Sequence, residues 1–126
     1  MRNLVLCLAA AIALSVCVKV SSAADSDKKV SGILIDDHCA ANFMKKDNPQ
    51  DAAAKHKASC AIKCAKNDDA KFVLIHAKKE LKLDQNGQKL AMDYLSKPDA
   101  KTNVTITGEV NGDEIKVESI APASKD

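Results

Sequence analysis

Asn103-Val104-Thr105-Ile106-Thr107-Gly108-Glu109-Val110-Asn111-Gly112-Asp113-Glu114-Ile115-Lys116-Val117-Glu118-Ser119-Ile120 decides the fold class. Val104, Ile106 and Val110 face one way, while Thr105, Thr107 and Glu109 face the other. That is the period of two by which a strand buries one face and wets its opposite. Asn111-Gly112 is the dipeptide of a tight hairpin turn. Glu114 to Ile120 returns as a second alternating strand, with Ile115 and Val117 turned inward.

Upstream, Lys71 to Ala77 is a compact apolar run that reads as a strand buried on both faces. Glu80 to Asp84 alternates again, with Leu81 and Leu83 on one side. Gln85-Asn86-Gly87 reads as a turn. Leu90, Tyr94 and Leu95 fall at helical spacing, which predicts a short helix over Gln88 to Ser96 that Pro98 ends. Asn48-Pro49-Gln50-Asp51 is a helix start, with proline suited to the first turn and aspartate to the positive end of the dipole. The Ala-rich stretch that follows predicts one continuous helix to Lys66, closed by Asn67-Asp68-Asp69. Asp36 to Asp47 reads as irregular. Val30 to Ile35 is the first strand, and Gly32 inside it signals a bulge or a sharp bend. Five strands, with one helix between the first and second and another between the third and fourth, predict an α+β domain on a small curled sheet.

The N-terminal segment has the three-part layout of a secretory signal peptide: Met1-Arg2-Asn3, an apolar run from Leu4 to Val18, and small residues up to Ala23. The apolar run falls short of the ~20 residues of a membrane span, so no stable membrane anchor is expected after cleavage. The expected organisation is a signal peptide over 1–23, a flexible leader over 24–29, the sheet domain over 30–121 and a polar tail over 122–126. The expected location is periplasmic or secreted. The only arginine, Arg2, leaves with the signal, and the remaining lysines balance the acidic residues. With no Trp and only Phe43, Phe72 and Tyr94 as aromatics, the chain lacks the stacking platform and cationic groove of a nucleic-acid binder. No nucleic-acid partner is expected.

The strings Val30-x-Gly32-x-Leu34, Phe72-Val73-Leu74, Val104-x-Ile106-x-Gly108-x-Val110 and Ile115-x-Val117-x-x-Ile120 resemble the bacterial OB-fold group of small exported proteins. More narrowly, Asp36-Asp37-His38-Cys39 after the first strand and Cys60-x3-Cys64 on the following helix resemble a family of secreted bacterial proteins of unknown function. The resemblance covers most of residues 29 to 122. It implies a five-stranded, partly open OB-like barrel with a Cys-bearing helix between strands 1 and 2 and a short helix between strands 3 and 4. Many members follow the first cysteine with Gly, where this chain has Ala40. The family implies a fold and no activity.

The chemistry-bearing residues concentrate in one region. On a continuous helix, positions four apart lie ~40° apart around the axis, so His56, Cys60 and Cys64 would form one stripe. Cys39, with His38 beside it, sits where a loop could reach that stripe. One reading is a structural disulfide from Cys39 to Cys60 or Cys64, which suits an exported chain but leaves one thiol over. A second is a transition-metal site for Zn or Cu from Cys39, Cys60 and Cys64 with His38 or His56, to which Met44 could add a thioether for copper. A third is thiol–disulfide redox chemistry, although Cys60-x3-Cys64 is one residue longer than the usual motif. His76 reads as a core-edge histidine and the Asp36-Asp37 pair as loop-solvating. No Ser-His-Asp arrangement, phosphate loop or zinc-hydrolase motif is present. The functional expectation is a non-enzymatic, exported binding or envelope-associated protein of unknown ligand, with metal binding and then redox chemistry as alternatives.

Overall fold

The computed structural model describes residues 28–124. The expected signal peptide and most of the leader lie outside the described residues, as do the last two residues of the tail. The elements run β1 (Lys28–Asp36), α1 (Asp37–Phe43), α2 (Pro49–Ala53), α3 (Ala58–Asn67), β2 (Phe72–His76), β3 (Lys79–Leu83), α4 (Gln85–Leu95), β4 (Asn103–Asn111) and β5 (Glu114–Pro122). The class is α+β, as expected. The sheet is mixed and closes in a ring in the order β1-β2-β3-β5-β4, with β1 paired to both β2 and β4. A partly open sheet is the sequence expectation. The gap is closed by a short parallel pairing, Lys82 with Glu114 and Leu83 with Ile115.

Alternation along β1 and β2 separates two cores. Leu34, Phe72 and Leu74 point into the ring with Val104, Ile106, Ile115 and Val117. Ile33, Ile35, Val73 and Ile75 point outward, where Ala40 of α1 and Ala53 of α2 cover them. Burial of a large aliphatic side chain contributes roughly 1.5–3 kcal/mol, so the outer cluster is a second substantial reason for β1 and β2 to stay paired. It also explains why both strands lose the alternating pattern and read as continuous apolar runs. Ala61 of α3 and Ala91, Tyr94 and Leu95 of α4 join the inner core.

Three local readings are corrected. Asp36 to Asp47 is not irregular: its first part is α1, started by Asp36. Gln85-Asn86-Gly87 is not a turn but the first turn of α4, because the Asp84 side chain accepts the Gly87 amide at 2.8 Å. The same Asp84 oxygen accepts the Val117 amide at 3.1 Å, so this cap also docks the helix onto β5. Third, the Ala-rich helix is broken, with α2 ending and α3 restarting around His56.

Gly32 marks the point where β1 hands over from β4 to β2. A Cβ there would lie 2.4 Å from the Ile75 carbonyl oxygen. The register shift falls elsewhere, opposite Thr107 and Gly108 of β4, where Glu118 of β5 is left without a partner. Gly32→Ala is therefore expected to cost about 1–3 kcal/mol through overpacking against backbone. Lys29→Ala, at the exposed start of the same strand, should stay within about 0.5 kcal/mol. Urea or thermal melts of the two variants check this.

Candidate functional site

The site begins with Asp36, the last residue of β1. Its register partner is Phe72, so its side chain takes the inward face of the ring, and it is 0% exposed. Asp36 has extended backbone (φ −79°, ψ 150°), and its Oδ2 accepts the Cys39 amide at 2.9 Å. This is the N-cap bond to the third helical residue that starts a helix, helped by Asp37 in the first turn. The spacing Asp-x-x-Cys thus has a physical meaning: capping fixes Cys39 one turn above the carboxylate that caps it.

His56 arrives from the break between α2 and α3. Its amide donates to the Ala53 carbonyl at 2.8 Å, and Lys57 then turns extended before α3 starts. No Gly or Pro lies in this break, so the cause is tertiary. Buried Thr102 donates its hydroxyl to the His56 carbonyl at 3.2 Å, while its own carbonyl accepts the Leu34 amide at 2.8 Å. The Phe43 ring meets the imidazole edge-on, with centroids 5.7 Å apart at 72°. These contacts hold His56 Nε2 3.4 Å from Asp36 Oδ1, with the His56 side chain 13% exposed. Among the described residues, neither of those two buried atoms has a hydrogen-bond partner. Asp36, Cys39 and His56 each present one donor atom, all within 4.8 Å of one another.

Cys64 of α3 neighbours Cys39 and lies outside the three-donor group. Burial pushes the Cys39 thiol up to about 12, reinforced by the charge and acceptor oxygens of Asp36 and then by the neighbouring Cys64 thiol. The Cys64 thiol is also raised, first by burial and then by the Asp36 charge, while Cys39 opposes the shift. Cys39, Cys60 and Cys64 are free thiols. Cys60 is exposed and outside the three-donor group. The helix break removes the predicted stripe, so His56, Cys60 and Cys64 do not share one helical face. His38 is exposed, with Nε2 4.0 Å from Asp37 Oδ1, and stands apart. Met44 is half-buried against the outer core, and His76 sits away from the group with Nδ1 2.7 Å from the Ser31 carbonyl.

Asp36 is the residue the sequence reading misses. The loop-solvating role assigned to the Asp36-Asp37 pair holds for neither partner's position equally: Asp36 is buried, while Asp37 bonds the Lys71 amide at 3.1 Å. A signal was available. Asp36 followed by Asp37 before Cys39-Ala40-Ala41 has the composition of a helix N-terminus, and a capping aspartate at the end of a buried strand is drawn inward with it.

In the reduced protein, alkylation should reach Cys60 first, because it is exposed, and Cys39 last, because burial keeps its thiol protonated and the thiolate is the reactive species. The pH dependence has a definite sign. Folded Cys39 keeps its proton up to about 12 against an ordinary 9.0. Between those values the unfolded chain binds fewer protons, so stability falls as pH rises through that window. Urea melts from pH 8 to 11 should show this slope in the reduced protein and a shallower one in Cys39→Ala. Compared with known protein families, curated proteins and solved structures, the chain matches none.

Proposed function

We propose that this chain is a small, exported, non-enzymatic protein that binds a transition-metal ion, Zn²⁺ or Cu⁺, through Asp36, Cys39, His56 and Cys64. The observation that carries this reading is the pair of buried, unpartnered atoms Asp36 Oδ1 and His56 Nε2 at 3.4 Å. Two ligands on one tetrahedral ion with bonds of ~2.0–2.1 Å stand about 3.3 Å apart. A buried carboxylate oxygen without a donor is costly, and a cation between it and the imidazole removes that cost. The mixed oxygen, nitrogen and sulfur set suits zinc, and the two sulfurs suit copper. Binding would release the thiol protons.

An OB-like identity for the domain is part of the proposal. The closed order β1-β2-β3-β5-β4 supports it, as does the position of the cluster. Every proposed ligand lies at the end of β1 or in the β1–β2 connection, one of the two loops such folds use for ligands. The pattern of residues 1–23 supports a periplasmic or secreted setting.

A second reading rests on the proximity of Cys39 and Cys64. Their disulfide would tie α1 to α3 and contribute about 3.5 kcal/mol by the chain-entropy model. It uses the same sulfurs, so the two states exclude each other. The redox-enzyme reading is disfavoured, because a thiol held above its ordinary range is the reverse of an activated nucleophile.

The purified chain is expected to retain about one zinc per molecule through gel filtration. Asp36→Asn, which keeps the helix cap, and Cys39→Ser should each lose it, whereas Cys60→Ser should keep it. Elemental analysis with intact mass after alkylation reads this directly. A metal-free chain with one alkylatable thiol among Cys39, Cys60 and Cys64 would instead support the staple.

A further inference from the structure

We infer that the groove between the start of α3 and the end of α4 binds a small organic anion carrying two or more carboxylate or phosphate charges. The groove encloses about 710 Å³. Its charged lining is of one sign: Lys57 and Lys66 from the α3 side, Lys97 and Lys101 from the segment after α4, and no Asp or Glu. Among the described residues none of the four lysines takes part in a salt bridge. Lys97 Nζ instead lies 5.9 Å from the centre of the Tyr94 ring. Asp99, between Lys97 and Lys101 in sequence, lines a neighbouring depression rather than this groove. Lysines and acidic residues balance over residues 24–126, so four unpaired cations around one concavity are a local segregation of charge. Such a concavity focuses field and attracts an anion.

Hydrogen-bond donors accompany the charge. Lys57 provides no side-chain cap for α3, and Ala58 and Ser59 at its start line the groove. The first amides of a helix have no partner within it. The Ser59 and Ser96 residues add hydroxyls. Ile62 and Leu95 give the same groove apolar surface, which suits a ligand with a carbon body better than a bare inorganic ion. No Phe, Tyr or Trp lines it, so a single-stranded nucleic acid would find no stacking platform beyond the His56 ring. His56 borders both the groove and the Asp36 cluster, yet the inference stands on the lysines and does not require a metal in that cluster.

The test titrates the zinc-free full chain with pyrophosphate and, separately, with citrate, following amide shifts by NMR. Zinc-free protein is used because both probes chelate metals. Saturable shifts should concentrate at Ala58, Ser59, Lys97 and Thr102 and weaken with added salt. The double variant Lys66→Gln/Lys101→Gln should lower affinity about tenfold. Lys82→Gln/Lys116→Gln removes equal charge outside the groove and should leave affinity unchanged. The tighter probe identifies phosphate or carboxylate as the preferred group. Non-saturating shifts with both probes, or equal weakening by the two double variants, would overturn the assignment.

Discussion

The structure turns on one buried carboxylate. Asp36 ends a strand, starts a helix and faces a histidine from a third segment. Its two oxygens divide the work. Oδ2 holds the Cys39 amide, and Oδ1 faces His56 Nε2. An isolated carboxylate at 0% exposure is expensive in a medium of low dielectric. That cost fixes what must surround it: a helix N-terminus, whose amides favour negative charge, and groups able to meet the remaining oxygen.

The scaffold holds Asp36 in place from both faces of β1. Inside, Leu34 belongs to the ring core; outside, Ile33 and Ile35 lie beneath α1 and α2. A one-residue slip of β1 would exchange these faces. It would also drive Asp36 into the outer apolar cluster and carry its cap away from Cys39. With apolar residues on both faces of β1, it is Asp36 and its cap, more than the apolar pattern, that penalise the slip. Thr102 extends the same control to the far side of the site, since one residue bonds β1 through its carbonyl and His56 through its hydroxyl.

The strands were legible because each carries its own signal. Asn103 to Ile120 alternates and turns at Asn111-Gly112, and the structure pairs β4 with β5 across that turn. Phe72 to Ile75 reads as doubly buried and is. The helices were less legible where side chains compete with propensity. Gly87 looks like a turn residue, but the Asp84 cap recruits it into α4, where a Cβ would come within 2.5 Å of Val117 Cγ2. Between Ala53 and Ala58 local propensity favours continuous helix, and contacts of His56 with Thr102, Phe43 and Asp36 break it. Those partners come from distant positions in the chain, so no local window contains the cause. Of the residues expected at the site, Cys39 and His56 come together, with Cys64 beside Cys39; Cys60 and His38 follow sequence proximity, which the break and the exposed face of α1 make a poor guide.

Metal ligation and a disulfide place opposite demands on one imidazole. A metal needs His56 Nε2 as a lone pair, and the two sulfurs as thiolates whose charge the ion offsets. A Cys39–Cys64 disulfide leaves no thiolate, so Asp36 would have to be met by a proton on Nε2 instead. At 3.4 Å, Nε2 and Oδ1 are near each other without a hydrogen bond between them. A cluster designed only to hide a carboxylate would close that gap to about 2.8 Å, the length of a charge-assisted bond. The His56 backbone is held by Thr102 and Ala53. On the proposed metal reading, the 3.4 Å between Nε2 and Oδ1 is the spacing of two ligands on one tetrahedral ion.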